Sequence, residues 1–219
     1  MAPPAAVLDL DGTLVDTNYH HALCWYRAFR RHSITIPVWR LHRHVGMGGD
    51  MFVAAVAGDE VEEEHGDALR DDWEELFDEL IDEVAPLDGA RGLIAALKER
   101  GHEVVLASSS VQKHFDRFVE LLDVGDLVDG WTTKDDVEAS KPEPDLVRAA
   151  LDKVRADRAV MLGDTPWDVE AARRAGVETV CLITGGFSEQ ELRDAGAVAV
   201  FESLVDLRYG LARTPFGED

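Results

Sequence analysis

The sequence predicts an α/β protein with a Rossmann-like parallel sheet core and an inserted all-helical domain. Three observations support this fold class. After residue 86, short apolar segments alternate with amphipathic helical segments, which is typical of a parallel sheet covered on both faces. One more apolar segment lies near the start of the chain. Between that segment and the others, from about residue 18 to residue 84, the pattern is almost wholly helical.

The first predicted element is a buried strand from Ala5 to Leu10, which ends in an acidic turn. In the helical block that follows, apolar residues recur at helical spacing and form one buried stripe. The members of this stripe are Leu69, Trp73, Leu76, Phe77, Leu80, Ile81 and Val84. We therefore assign residues 17–83 to the inserted domain, and residues 1–16 and 84–219 to the core.

The remaining elements alternate along the chain. Predicted helices cover residues 90–100, 111–122, 144–154, 166–175 and 188–195, and a last helix follows residue 201. Predicted strands cover residues 102–107, 127–131, 159–162, 178–183 and 197–201. The first and fourth of these helices are followed by Gly101 and Gly176, and glycine is a common residue just after a helix.

The composition excludes several classes of protein. The 219 residues include 44 acidic and 22 basic side chains, giving a formal net charge of −22. This charge disfavours binding to nucleic acid or to an anionic membrane surface, where Lys and Arg neutralise phosphates. No apolar stretch approaches the roughly 18 residues that span a bilayer, and the first residues do not resemble a signal peptide. We therefore expect a cytoplasmic protein that binds neither nucleic acid nor membranes.

Two further features of the composition leave questions open. The two cysteines, Cys24 and Cys181, form no disulfide framework and favour a reducing compartment. Between Asp59 and Glu83 lie 14 acidic residues and one basic residue, Arg70. A solvated helix face explains this run more simply than a specific cation or partner site. The sequence does not decide between a monomer and a homodimer.

Polar segments follow the predicted strands at the points where the strands end. The first strand is followed by Asp9-Leu10-Asp11-Gly12-Thr13 and the second by Ser108-Ser109-Ser110. A loop supplies Ser140-Lys141-Pro142, and the strand at 159–162 leads into Gly163-Asp164-Thr165-Pro166-Trp167-Asp168. In open parallel sheets, ligands bind beyond the carboxyl ends of the strands. We therefore expect these segments to meet and form the functional site.

This ordered set of motifs resembles that of the haloacid dehalogenase-like superfamily. The pattern is DxDGT, then a serine after a strand, then a lysine, then GDxxxD, and it extends from Asp9 to Asp168. A lone DxD is common in acidic loops, whereas four motifs in the right order are specific. The alternating elements extend the resemblance over nearly the whole chain. It implies an enzyme that hydrolyses a small phosphorylated metabolite with Mg²⁺ as cofactor.

The resemblance also implies roles for the acidic motif residues. Asp9 is the expected nucleophile that forms an aspartyl-phosphate, and Asp11 is the expected general acid and base. Mg²⁺ is expected to bind an Asp9 oxygen, the backbone carbonyl of Asp11 and the Asp164 carboxylate. Asp168 is expected to orient a ligand of the metal or to hold Lys141. Helix capping is the alternative role for Asp164 and Asp168.

Three other motif residues are expected to bind the phosphate. Ser108 donates a hydrogen bond to a phosphoryl oxygen, and Ser109 with nearby amides extends this anion site. Lys141 supplies a compact positive charge against the phosphoryl oxygens and Asp9. The alternatives are an ordinary helix cap for Ser109 and Ser110 and a surface position for Lys141. Thr13 is expected to close the loop structurally.

The details of the motifs narrow the choice of reaction. The dehalogenase and phosphonatase branches lack an Asp two residues after the nucleophile, so Asp11 favours phosphoryl transfer from oxygen.

The inserted domain resembles the small helical cap of the phosphoglycolate phosphatase and β-phosphoglucomutase-like group, which closes over the site. We expect His44 and Gly46, in the glycine-rich stretch 43–50, to contact the substrate. Related mutases place a basic residue where our alignment has Gly49, although Arg43 could substitute for it. A phosphosugar mutase and a non-enzymatic binding protein on the same fold are therefore the alternatives.

Overall fold

The central feature of the computed structural model, which describes residues 2–217, is a sheet of six parallel strands. The strands are β1 (Ala5–Leu8), β2 (Val104–Ala107), β3 (Gly130–Thr132), β4 (Ala159–Gly163), β5 (Glu178–Leu182) and β6 (Ala199–Phe201). Their order across the sheet is β3-β2-β1-β4-β5-β6. The first strand in the chain therefore lies between β2 and β4, and the predicted α/β class is confirmed.

In the part of the chain that the structure describes, ten α-helices cover the sheet or form the block that follows β1. The block contains α1 (Asn18–Arg31), α2 (Val38–His42), α3 (Gly49–Ala57) and α4 (Asp59–Leu80), and a 3-10 turn at Ile81–Glu83 follows it. The others are α5 (Ala90–Glu99), α6 (Gln112–Leu122), α7 (Asp145–Leu151), α8 (Pro166–Arg174), α9 (Glu189–Ala195) and α10 (Leu204–Gly210). Within residues 2–217, no helix is both long enough and apolar enough to cross a bilayer.

Strand β1 is apolar throughout because helices cover both of its faces. Its four residues are fully buried, and alternate side chains enter different apolar clusters. Leu8 belongs to the larger cluster, whereas Val7 packs in a second cluster with Val105 and Met161. Neither face of the sheet is exposed to water along β1, so both faces carry apolar side chains there.

The predicted end of the first strand differs from the observed end by two residues. Ladder pairing stops at Leu8, although the amide of Asp9 still donates to the carbonyl of Leu162 at 2.9 Å. The carbonyl of Leu10 then accepts from the amides of Leu14 and Val15, at 2.8 and 3.1 Å. The chain therefore turns sharply just beyond the strand.

The apolar core is continuous between the helical block and the sheet. The larger cluster joins Phe29 and Phe77 of the block to Leu8 of the sheet and Phe118 of α6. The rings of Phe77 and Phe118 meet edge to face with centroids 6.4 Å apart. The block is therefore packed onto the core by buried aromatic side chains.

Part of the acidic run, on α4 and the 3-10 turn after it, is paired across this same contact with basic residues of α6. The pairs are Lys113 with Glu74 at 2.6 Å and Asp78 at 2.7 Å, His114 with Asp78 at 2.7 Å, and Arg117 with Asp82 at 3.2 Å. The paired carboxylates of Glu74, Asp78 and Asp82 keep 40–85% of their side-chain surface exposed, so the acidic run remains a solvated face that also contacts α6. Exposed pairs of this kind each contribute about 0.2–1 kcal/mol, so they add less than the aromatic contacts do.

We predict that Phe118→Ala lowers the free energy of unfolding by about 3–5 kcal/mol, because the ring is fully buried and its loss leaves a cavity. Urea unfolding followed by circular dichroism measures the change. Tyr209→Ala is the control, since its side chain is 83% exposed and the expected change is within about 0.5 kcal/mol. Equal unfolding midpoints for the two variants would contradict the assignment of Phe118 to the core.

Candidate active site

The polar motifs converge at the carboxyl edge of the sheet, as the sequence predicts. Strand β1 leads into Asp9 and Asp11, and β2 leads into Ser108–Ser110. The loop between β3 and α7 carries Lys141, and β4 leads into Asp164. Contacts between side chains of these segments join them into one buried cluster.

A buried ammonium group connects two of these segments. The Nζ atom of Lys141 contacts Asp9 Oδ1 and lies 2.8 Å from Asp168 Oδ1. All three side chains are almost completely buried. Burial alone would lower the pKa of Lys141, but the carboxylates of Asp168 and Asp9 raise it above its usual range. Lys141 is therefore a fixed positive charge beside Asp9.

The carboxylate of Asp164 is held by two neighbouring side chains. Asn18 Nδ2 donates to Asp164 Oδ2 at 2.9 Å. The hydroxyl of Thr13 lies 3.0 Å from Asp164 Oδ1 and 3.1 Å from Asp9 Oδ2, and its one proton serves one carboxylate at a time. Thr13 therefore links the two carboxylates as well as closing its loop.

The second part of the GDxxxD motif both caps a helix and holds the lysine. Asp168 Oδ2 accepts from the amide of Thr165 at 3.0 Å, and the Thr165 hydroxyl oxygen accepts from the amide of Asp168 at 3.4 Å, which forms a capping box at the start of α8. Its other oxygen faces Lys141. Helix capping and the holding of Lys141 are therefore compatible roles for Asp168.

The acidic cluster suits a divalent cation. Single oxygens of Asp9, Asp164 and Asp168 lie within 4.8 Å of one another, and all three residues are buried. Burial raises the pKa of Asp9 and Asp164, and neighbouring carboxylates raise both further. The cluster thus has three buried carboxylates and one ammonium, which contacts Asp9 and Asp168. Mg²⁺, which prefers carboxylate oxygens, would offset the excess negative charge. Asp9 and Asp164 share the single proton of the Thr13 hydroxyl, so one of their oxygens is always without that donor. Asp168 Oδ2 has the Thr165 donors to itself and its Oδ1 faces Lys141, so Asp9 and Asp164 are the better placed to hold the metal.

The carboxylate of Asp11 is bonded on both oxygens. His21 Nε2 lies 2.8 Å from Oδ1, and the hydroxyls of Ser110 and Ser108 donate to Oδ2 at 2.8 and 3.1 Å. Burial alone would raise the pKa of Asp11, but the hydrogen bond and charge of His21, with Ser110, lower it well below its usual range. The ring of His21 is itself held by stacking on Phe77, with centroids 4.4 Å apart.

Sequence reasoning assigned no role to His21 or Ser110, and it placed Ser108 on the phosphate. The spacing of His21 could have predicted that it is buried, because at helical spacing it shares one face of α1 with Cys24, Trp25 and Ala28. Ser109 fits the predicted role in phosphate binding better than Ser108 does. Its hydroxyl is buried, lines the cavity above the cluster and has no hydrogen-bond partner within residues 2–217.

A partly open cavity lies over the cluster and is roofed by the helical block. Its empty space, including the mouth, is about 750 Å³. Asp9, Asp11 and Lys141 lie at its floor, and Trp25 and Trp73 contribute to an aromatic roof. A concave, largely apolar lining with a few convergent polar groups is typical of sites for small molecules.

The glycine-rich loop of the block contacts the segment that carries Lys141. Asp50 Oδ2 accepts from the amide of Ser140 at 3.0 Å, and the amide of Gly48 is 3.4 Å from the carbonyl of Lys141. A Cβ atom at Gly48 would lie 2.1 Å from Ser140 Cβ, so only glycine allows this approach. The glycine-rich loop of the block is therefore in direct contact with the segment that carries Lys141.

Of the two residues in this loop that were predicted to contact the substrate, one lines the cavity and the other does not. Gly46 lines the cavity. His44 is not among the described residues that line it: its Nδ1 donates to the carbonyl of Arg40 at 2.9 Å, and its ring stacks on Trp167 at 6.1 Å. Arg43 pairs with Glu191 of the core and does not substitute for a basic residue at Gly49.

Comparisons with known proteins agree with this geometry. The family model for haloacid dehalogenase-like hydrolases matches residues 3–176. The chain is 28% identical to the phosphoglycolate phosphatase of Rhodospirillum rubrum, over 94% of this chain and 89% of that protein. It is 26% identical to the phosphorylated carbohydrates phosphatase of Thermotoga maritima, over 90% of this chain and 93% of that protein. The crystal structure of a hydrolase from Pseudomonas syringae is similar, with a TM-score of 0.90, 30% identity, and coverage of 96% of this chain and 98% of that chain.

We predict that Gly12→Ala destabilises the protein more than Gly176→Ala. Both glycines have nearly the same positive φ, +76° and +77°, so each variant carries a backbone cost of about 1–2 kcal/mol. At Gly12 the new Cβ would also lie 2.1 Å from Asn18 Nδ2 and 2.2 Å from Asp164 Oδ2, whereas nothing lies within 4 Å at Gly176. Thermal unfolding measures the difference, and equal losses in the two variants would contradict the close approach at Gly12.

Proposed function

The chain belongs to the haloacid dehalogenase-like hydrolase family, and from this premise we propose that it is a Mg²⁺-dependent phosphatase of small phosphate monoesters. The reaction proceeds through an aspartyl-phosphate on Asp9. The observation that carries the proposal is the convergence of Asp9, Asp11, Lys141 and Asp164 in one cluster beneath a partly open cavity. The names of the relatives from R. rubrum and T. maritima support a phosphorylated small molecule as substrate.

In this proposal residues 17–83 form a cap over a core of residues 1–16 and 84–219. The cap contributes Trp25 and Trp73 to the cavity, and its loop lies against Ser140. Closure excludes water that would compete for the reactive phosphorus, and it strengthens the electrostatic interactions inside.

The core residues bind and orient the phosphoryl group. Lys141 places its charge beside Asp9, and Ser109 has a free buried hydroxyl for a phosphoryl oxygen. Ser108 also belongs to this anion site, and a bound phosphoryl group would compete with Asp11 for its hydroxyl. Asp9, Asp164 and the backbone carbonyl of Asp11 would hold Mg²⁺, which when bound offsets the negative charge of the phosphoryl group.

The chemistry divides into two transfers. In the first, a carboxylate oxygen of Asp9 bonds to phosphorus and the bond from phosphorus to the leaving oxygen breaks. Asp11, whose carboxylate is ionised in the resting site, takes up a proton when the substrate binds and passes it to that leaving oxygen. In the second, Asp11 takes a proton from water as the water oxygen bonds to phosphorus. The bond between Asp9 and phosphorus breaks, which regenerates the carboxylate and releases inorganic phosphate.

Two residues position the reacting groups. Asp168 holds Lys141 in place through the contact at 2.8 Å, and His21 holds the Oδ1 atom of Asp11 at 2.8 Å. Gly46 contributes to the substrate cavity, and a substrate contact by His44 requires its ring to leave the carbonyl of Arg40. A cytoplasmic location and a monomeric or homodimeric state stay predictions.

Phosphate release from a panel of phosphorylated metabolites, with and without Mg²⁺, tests the proposal. Metal-dependent release supports a phosphatase. Conversion of a sugar phosphate into its isomer without release of phosphate would instead support the mutase alternative. The absence of either reaction from every compound in the panel, with Mg²⁺ bound, would count against the proposed function.

We predict that Asp9→Asn lowers turnover at least about 1,000-fold, because the amide has nearly the same shape but is a poor nucleophile. Phosphate release measures the loss, and circular dichroism checks that the fold is retained. The matched control is Asp157→Asn, an exposed residue outside the cluster, which should retain full activity. Turnover by Asp9→Asn above a thousandth of the wild-type rate would exclude the covalent mechanism.

We predict that a chelator abolishes phosphate release and that added Mg²⁺ restores it. Mg²⁺ should also raise the thermal unfolding temperature of the wild type, because a ligand that binds only the folded state stabilises it. Asp164→Asn should abolish this rise, whereas Asp157→Asn should preserve it. Full activity in chelator, or an unchanged rise in Asp164→Asn, would overturn the metal assignment.

A further inference from the structure

On the basis of the proposed phosphatase function, we propose that Lys134 forms a second anion-binding subsite in the cavity. The preferred substrate is then a phosphate monoester whose leaving alcohol carries a second anionic group, either a carboxylate or another phosphate. The transferred phosphoryl group lies at Asp9 and Lys141, and the second anion lies at Lys134.

Lys134 is held at the same edge of the sheet as the reacting groups. It begins a 3-10 turn, Lys134–Asp136, that follows β3. Its backbone amide donates to the carbonyl of Ser110 at 3.2 Å, which ties it to the serine segment after β2. The residue is half-buried and lines the cavity that also contains Asp9 and Lys141.

Of the lysine and arginine side chains among the described residues that line the cavity, Lys134 is the one without an ion-pair partner. Lys141 is paired with Asp9 and Asp168. Arg70, on the cap side, is paired with Glu62 and Asp67 at 2.8 Å each. Within residues 2–217, the ammonium of Lys134 has neither an ion-pair partner nor a hydrogen-bond partner. Its full positive charge is therefore available to a ligand.

The acidic residues closest to Lys134 in sequence, and the acidic residue across the cavity, have other partners. Asp135 Oδ2 accepts from the backbone amide of Gln112 at 3.0 Å, and Asp136 Oδ2 accepts from that of Thr133 at 2.9 Å. Glu74, which lines the cavity from α4, lies 2.6 Å from Lys113. None of these three carboxylates neutralises Lys134. This is unusual in a chain with twice as many acidic as basic residues.

The rest of the cavity gives a second anion no better partner. Trp25 and Trp73 of the roof are uncharged, and Gly49, which also lines the cavity, has no side chain. A compact ammonium binds either a carboxylate or a phosphate as a point charge. A local positive charge also offsets the repulsion that an anionic substrate meets in a protein of net charge −22.

Matched pairs of substrates test this subsite. In the carboxylate arm, 2-phosphoglycolate is compared with 2-hydroxyethyl phosphate, which carries a hydroxymethyl group in place of the carboxylate. In the phosphate arm, propane-1,3-diol bisphosphate is compared with 3-hydroxypropyl phosphate. The measured quantity is the ratio of kcat/KM for the anionic member to kcat/KM for the neutral member. The arm with the larger wild-type ratio identifies the second anion.

Lys134→Gln is expected to lower this ratio by about 10- to 100-fold, the effect of losing one hydrogen bond to a charged group. Lys134→Arg, which keeps the charge, is expected to retain most of the ratio. Lys153→Gln is the matched control, since Lys153 is an exposed lysine outside the cavity, and it should leave ratio and activity unchanged.

The outcomes separate this subsite from the proposed function. An unchanged ratio in Lys134→Gln would overturn the subsite and leave the phosphatase intact. An equal fall in kcat/KM for both members of a pair would also overturn it, because Lys134 would then act on the transferred phosphoryl group. A wild type that releases phosphate from no member of either pair would overturn the proposed function and the subsite together.

Discussion

The buried contact of Lys141 with Asp9 and Asp168 is the interaction on which the site depends. It joins the segments that follow β1 and β4 to the loop before α7. Removing one partner of a buried ion pair leaves an uncompensated charge, at a cost of about 3–5 kcal/mol. The surrounding polar groups serve the same need, since Asn18 donates to the carboxylate of Asp164 and Thr13 donates to Asp164 or to Asp9. An arrangement with more buried carboxylates than cations is suited to receive a metal ion.

The helical block contributes to this site from above and is tied to the same lysine. Its loop binds the backbone on both sides of the Ser140–Lys141 peptide, through Asp50 and Gly48. His21 of the block contacts Asp11 of the core. The two parts of the molecule therefore share polar contacts at the floor of the cavity and aromatic contacts around it.

The fold and the motif residues could be predicted from local signals. Strand and helix periods are visible within short windows, and parallel strands place their carboxyl ends at one edge, which brings Asp9, Ser108 and Asp164 together. Contacts between distant helices leave no such signal. The pairing of His21 with Asp11, and that of Lys113 with Asp78, depends on how the block packs on the core. The free charge of Lys134 could not be predicted either, because it depends on which partners its acidic neighbours take.

The position of β1 in the sheet has a consequence for how the chain folds. Its two partners, β2 and β4, follow it in the chain only after the whole helical block, and Leu8 pairs with Leu106 on one side and Leu162 on the other. Closing such long loops carries an entropic cost before any pairing contributes stability. During synthesis β1 therefore emerges with both hydrogen-bonding edges unsatisfied, while the helices behind it can already form from local contacts. The strand that leads into Asp9 and Asp11 is thus made before both of its partners and is completed only after them.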